Sequence, residues 1–227
     1  MQYPDDFIDK IICADQQSIL PLIPDNSVAM TLTDIPYAEV TRPSNGLRKL
    51  DKGAADILTF PLEPFVEQLV RITAGSIYIF CSTEQCSSLR SLLIKHGLST
   101  RLCLWEKTNP SPMNGQYIWL SSIECCVFGK KSKATFNEHC KSVVWRFPCG
   151  RSKVHPTEKP LKLFEYLVGV SSNPGDIILD PCIGSGTTAV AAKSLGRKCI
   201  GIEMSPEYHK MAIQRMNDHT TTVNKNK

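Results

Sequence analysis

Two rhythms of apolar and polar positions alternate along this 227-residue chain. Short, strongly apolar runs occupy residues 28–33, 76–81, 100–106, 124–128, 177–180 and 198–203. Between and after them, at 61–73, 83–95, 160–171, 187–195 and 206–217, apolar residues recur at helical spacing. Runs this short and this apolar suit strands buried on both faces, and strands alternating with helices predict an α/β domain with a doubly wound, mostly parallel sheet. Two zones, 38–55 and the pair 107–122 and 130–153, break the rhythm; they hang from strand ends, where open α/β sheets bind ligands. The pattern gives one domain over 1–218 and a polar tail over 219–227, expected to be unstructured.

Composition narrows the class. Hydrophobic residues make up 42% and charged residues 21%, near the values of soluble globular domains. No apolar run approaches the roughly 20 residues of a membrane span. The start, Met1-Gln2-Tyr3-Pro4-Asp5-Asp6, lacks the basic-then-apolar order of a secretory signal, so a cytoplasmic location is expected. Ten cysteines include no Cys-x-x-Cys pair, and several sit inside apolar runs; reduced core cysteines are expected, and no metal. A net charge of +4 permits a polyanionic partner.

The first chemical signal is Asp180-Pro181-Cys182-Ile183-Gly184-Ser185-Gly186-Thr187-Thr188, a strand end followed by a glycine-rich turn into a helix. Gly184 and Gly186 let backbone pass close to a ligand, and the free amides at a helix start favour an anionic group. The turn lacks the Gly-Lys-Ser/Thr ending of a P-loop and the Gly-x-Gly-x-x-Gly spacing, so taken alone it also fits an ordinary tight turn. Glu203 then closes the next strand about twenty residues on, where a doubly wound sheet places an acid against ribose hydroxyls. The pair suits an adenosine-type cofactor.

The second signal is Asp34-Ile35-Pro36-Tyr37 at the end of the run 28–33. Pro36 biases Ile35 toward extended geometry, which directs the Ile35 carbonyl beside the Asp34 carboxylate. Two acceptors then face one amino group. The exocyclic amine of a nucleobase is a poor nucleophile because its lone pair is delocalised; hydrogen bonds to its protons and close positioning favour attack. Tyr37 offers a face on which a base can stack. Standing alone, the tetrapeptide would equally fit a turn with a core tyrosine.

Taken together, these residues resemble the DNA amino-methyltransferases of the adenine-N6 or cytosine-N4 kind, which depend on S-adenosylmethionine. The resemblance covers nearly the whole chain and implies a single-domain, Rossmann-like methyltransferase sheet. Asp34-Ile35-Pro36-Tyr37 matches the family's Asp-Pro-Pro-Tyr catalytic motif, with Ile35 in place of the first proline. The turn from Asp180 through Cys182, Gly184, Ser185, Gly186, Thr187 and Thr188 matches its methionine-binding loop, and Val154-His155-Pro156-Thr157-Glu158-Lys159-Pro160 matches a signature segment. The resemblance implies that His155, Thr157 and Lys159 line the methionine side of the cofactor pocket. Ile11-Ile12-Cys13-Ala14-Asp15 resembles a Gly-Asp segment whose acid reaches the cofactor adenine, which implies the same for Asp15. Catalytic tetrapeptide first and cofactor loop last is the order of the family's beta group.

From this follow further expectations: a flipped-out base in duplex DNA, short recognition loops at 38–55 and 107–153, and phosphate contacts from Arg42, Arg48, Lys49, Lys130, Lys131, Lys133, Arg146, Arg151 and Lys153. The resemblance leaves room for a homodimer and a companion restriction nuclease. Adenine is favoured over cytosine because relatives acting on cytosine often carry Ser where Asp34 stands. The alternatives are cytosine-N4 methylation, a non-catalytic partner that binds cofactor or DNA, and RNA methylation, which the tetrapeptide order makes less attractive.

Overall fold

The computed structural model describes residues 1–37, 59–112, 115–150 and 159–225. Among these residues eight strands form one sheet: β1 Lys10–Cys13, β2 Val28–Asp34, β3 Thr73–Cys81, β4 Ser99–Lys107, β5 Ile123–Lys130, β6 Val144–Phe147, β7 Ile177–Asp180 and β8 Lys198–Glu203. Their order is β1-β8-β7-β2-β3-β5-β4-β6. All neighbours are parallel except β5, which runs antiparallel to both β3 and β4. Six α-helices accompany them among the described residues: α1 Gln16–Ile19, α2 Leu62–Ile72, α3 Cys86–Lys95, α4 Leu161–Ser171, α5 Thr187–Ser194 and α6 Pro206–Lys225.

The central strands are apolar on both faces, and the two faces build separate cores. Ile77 and Ile79 of β3 point into one with Phe65, Val66 and Leu69 of α2 and Leu89 and Leu93 of α3. Tyr78 and Phe80, one residue out of phase, point into the other with Leu163, Phe164 and Leu167 of α4, Ala191 of α5 and Ala212 of α6. Helix α2 shows why such segments fold: its buried residues Phe65, Val66, Leu69, Val70 and Ile72 share one face, with Glu63 in the first turn and Arg71 in the last.

The connection from β2 through α2 to β3 moves one way across the sheet, and that from β7 through α5 to β8 moves the other. The order therefore reverses between β2 and β7, which creates the crevice in which open α/β sheets receive ligands.

Three features depart from the sequence expectation. β6 is an edge strand inside the stretch read as irregular, formed because Val144-Trp145-Arg146-Phe147 pairs in parallel with the end of β4. β1, read only as a motif, is a strand because β8 offers it a free edge. α6 continues to Lys225, through most of the stretch expected to be unstructured; extending a formed helix carries no nucleation cost.

Candidate active site

The reversal point brings the two sequence motifs together. β2 and β7 are neighbours, with Met30 opposite Ile178 and Thr31 opposite Leu179, so Asp34 and Asp180 leave the same edge of the sheet side by side. Asp180 is 3% exposed. Its carboxylate accepts the Thr188 hydroxyl at 2.5 Å and the Cys182 amide at 3.1 Å. Burial pushes its pKa up to about 7, against the pull of those hydrogen bonds and with the Asp34 charge adding to the rise. Asp180 is thus spent on shaping the loop that follows it.

That loop is also held by Glu203 and Arg215. Glu203, at the end of β8, accepts the Gly184 amide at 2.9 Å and the Ser205 amide at 2.8 Å. Arg215 of α6 donates to the hydroxyls of Ser185 and Thr187, each at 3.0 Å. Gly184 and Gly186 adopt left-handed backbone, with φ of 52° and 86°. A Cβ on Gly186 would lie 3.1 Å from Ala212, whereas a Cβ on Gly184 would meet nothing within 4 Å. The loop therefore turns its Gly184 side to open space, and α5 starts at Gly186 without a side-chain cap on its amides. On the adjoining strand, Ala14 bonds the Glu203 carbonyl at 3.1 Å, which sets Asp15 beside the end of β8. Asp15 is exposed and caps α1 through the Gln17 amide; Gln16 Nε2 next to it is buried with no hydrogen-bond partner among the described residues. Acids after β1 and β8, with open backbone after β7, fit a ligand that carries hydroxyl and amine donors and an anionic end.

Around Asp34 the arrangement is ionic. Lys159, 6% exposed, places its ammonium 2.5 Å from Asp34 Oδ2 and 3.0 Å from Glu124 Oε2. Tyr37 donates to Glu124 Oε2 at 3.2 Å, and Lys107 closes the group 2.8 Å from Glu124 Oε1. The ammonium also stands 5.6 Å from the ring centroids of Tyr37 and Phe80. Burial would raise the Glu124 carboxyl, yet Lys159 and Lys107 hold it at about 2. Burial likewise opposes the Lys159 charge, and Asp34, Tyr37 and Glu124 overcome it, so its pKa lies well above the ordinary lysine value. Asp34 itself is raised, by burial first, against Lys159. The backbone is pinned by the Ile35 amide on the Phe80 carbonyl at 3.1 Å and by Gln85 Nε2 on the Pro36 carbonyl at 3.1 Å.

Lys159, assigned to the cofactor by resemblance, thus ends on Asp34 and Glu124. His155 and Thr157 lie outside the described residues, as do Arg42, Arg48, Lys49, Arg151 and Lys153. Lys130 and Lys131 do not join the site: β5 runs antiparallel, so its end lies at the start of β3, where the Lys131 amide bonds the Gly75 carbonyl at 3.2 Å. Lys133 follows them in the same turn. Arg146 stays on the site's side of the sheet, paired with Glu106 at 3.0 Å. Glu124 and Lys107 were not singled out in the sequence; the available signal was a lone acid opening an otherwise apolar strand. Beyond them, the loop between β4 and β5 exposes Tyr117 (82%) and Trp119 (95%).

Residues 129–214 match a family model described as DNA methylase. The chain is 30% identical over 242 residues to the type II methyltransferase M2.LlaDCHI of Lactococcus lactis subsp. cremoris, an alignment covering 93% of this chain and 90% of that protein. It is 31% identical to the type II methyltransferase M.HpaI of Haemophilus parainfluenzae, over 91% of this chain and 74% of the relative. Among solved structures, the M1.HpyAVI–SAM complex superposes with a TM-score of 0.72 at 29% identity, covering 91% of this chain and 98% of that one. The cytosine-N4-specific PvuII DNA methyltransferase shares the fold, with a TM-score of 0.69 at 16% identity, over 93% and 90% of the two chains.

Proposed function

Since the chain belongs to the S-adenosylmethionine-dependent DNA methyltransferases that act on exocyclic amines, we propose that it methylates the N6 amino group of adenine in a base turned out of duplex DNA. The observation that carries this reading is the adjacency of Asp34 and the Gly184 loop on neighbouring strands at the reversal point of the sheet. Bound there, S-adenosylmethionine supplies a methyl carbon made electrophilic by its sulfonium. The open Gly184 backbone and the first amides of α5 suit its methionine end, and Glu203 and Asp15 suit the ribose and adenine.

Asp34 is the acceptor for the target amine: its carboxylate orients the N–H bonds and takes up the proton lost as the nitrogen gains the methyl group. Tyr37, whose hydroxyl is tied to Glu124 beside Asp34, is the ring offered to the base. Ile35 in place of proline leaves a carbonyl at that position, so the change is compatible with activity. The uncharged stretch 108–122, with Tyr117 and Trp119 exposed, offers flat rings to the base pairs next to the vacated position.

Incubating the protein with DNA and methyl-tritiated S-adenosylmethionine, then hydrolysing the DNA to nucleosides, tests the reading. Label in N6-methyl-2′-deoxyadenosine is expected. Label in N4-methyl-2′-deoxycytidine would replace adenine by cytosine, and no label would favour a non-catalytic binding partner.

A further inference from the structure

The Lys159 ammonium carries three protons, and Asp34 Oδ2, Glu124 Oε2 and the Tyr37 hydroxyl lie 2.5, 3.0 and 3.4 Å from it. Asp34 is therefore already answered by a cation. Its Oδ2 is bonded to Lys159, and its Oδ1 is buried with no partner among the described residues. With Oδ1 buried, a substrate amine reaches Asp34 at Oδ2, where the ammonium must yield, and a buried ammonium left without a carboxylate would be uncompensated. Glu124 removes that obstacle, because it already holds the same ammonium and is itself anchored by Lys107 at 2.8 Å.

We propose that Glu124 is a positioning residue that retains Lys159 while Asp34 passes from the ammonium to the target amine, so that the Asp34–Lys159 pair is the resting form of the site. This rests on reading Asp34 as the group that receives the amine. Glu124 acts through Lys159. It also accepts the Tyr37 hydroxyl, so one carboxylate fixes both partners of Asp34. Among the described residues, the groups that face Asp34 are Lys159 ahead of α4, Glu124 and Cys126 on β5, Cys81 on β3, Asp180 and Cys182 at the end of β7, and Tyr37 beside it. Among them only Lys159 is cationic, so its division between two carboxylates sets how tightly Asp34 is held.

The test is the titration of Asp34 in the full chain without DNA or cofactor, read by carbon NMR of labelled aspartate and assigned with Asp34→Asn. Glu124→Gln removes a neighbouring anion and gives Lys159 wholly to Asp34, so the Asp34 midpoint falls. Lys159→Met removes the cation, so it rises. Lys107→Met reads the same link without touching either carboxylate: Glu124 then leans on Lys159 and the Asp34 midpoint rises. In methyl transfer, Glu124→Gln loses on the order of tenfold or more in kcat/KM while the Kd for S-adenosylmethionine changes by less than about twofold. The double variant Glu124→Gln, Lys159→Met, which has no ammonium to clamp Asp34, exceeds Glu124→Gln alone. Midpoints that stay fixed or move the same way in Glu124→Gln and Lys159→Met, or losses that multiply in the double variant, would overturn the proposal. The titration needs no methyl transfer, so an inactive wild-type protein would count against the proposed function and not against this coupling.

Discussion

Glu203 holds Gly184: the strand-end carboxylate accepts that glycine's amide at 2.9 Å while its other oxygen accepts the Ser205 amide at 2.8 Å. The acid at the end of β8 therefore shapes the glycine-rich loop as well as lying beside it. In Glu203→Gln only one oxygen remains, and the new amide group meets an N–H donor. One of the two backbone amides loses its acceptor, at a cost of about 1–3 kcal/mol. The affinity for S-adenosylmethionine, measured by calorimetry, is expected to fall about tenfold or more.

Gly184 and Gly186 are expected to fail differently when changed to alanine. Both need left-handed backbone, but at Gly186 the added Cβ also meets Ala212 at 3.1 Å. Gly186→Ala should cost more than the 1–2 kcal/mol or so of the backbone alone, read as a lowered urea midpoint. Gly184→Ala has no such neighbour, and its methyl group would project into the space offered to the ligand. Cofactor affinity should suffer there more than stability.

Asp34→Ala is expected to reduce methyl transfer by about 100-fold or more, the scale of a lost acid–base group, while leaving calorimetric binding of S-adenosylmethionine nearly intact. Equal loss of both would move Asp34 from the base to the cofactor.

Stability should depend on pH through Asp180. Its folded-state pKa of about 7 lies above the ordinary 3.8, raised chiefly by burial, so between these values the native state binds more protons than the unfolded chain. Stability contributed by the protonated form is present below about 4 and is lost as pH rises through about 7. Asp180→Asn, which has no charge to bury, should flatten this part of the profile in urea titrations at several pH values.

Trp119 gives a reporter of DNA engagement. Trp105 and Trp145 are buried, at 2% and 8% exposure, whereas Trp119 is exposed. Acrylamide should therefore quench mainly Trp119. Duplex DNA containing the methylated sequence should shield it if its ring stacks on base pairs, and Trp119→Phe should abolish the change. Unaltered quenching on saturation with DNA would remove this loop from the interface.

The parts of the fold legible in the sequence were those with local causes. The apolar run ending in Asp34 and the glycines of the loop follow from strand burial and backbone freedom, which neighbouring residues report. Partners across the sheet left no such trace. Glu124 stands 35 positions before Lys159 and is one acid in an apolar strand; only the pairing of β5 between β3 and β4 carries it to Asp34. The same antiparallel turn takes Lys130 and Lys131 to the far edge, although in sequence they sit beside residues of the site. Arg215 was unreadable for a similar reason, since α6 meets the loop only after β8 has crossed behind it.

The pairing of β1 with β8 has a consequence for synthesis. The Asp9 carboxylate meets the Cys199 amide across 190 positions, and β7 and β8 fill the gap between β1 and β2. On the ribosome, the first strand emerges long before either of these neighbours exists. β1 stays unpaired until β8 is made, so the sheet end that carries Asp15 and Glu203 is completed only after β2 and β3 exist, and products truncated before β8 should be ready targets for proteolysis.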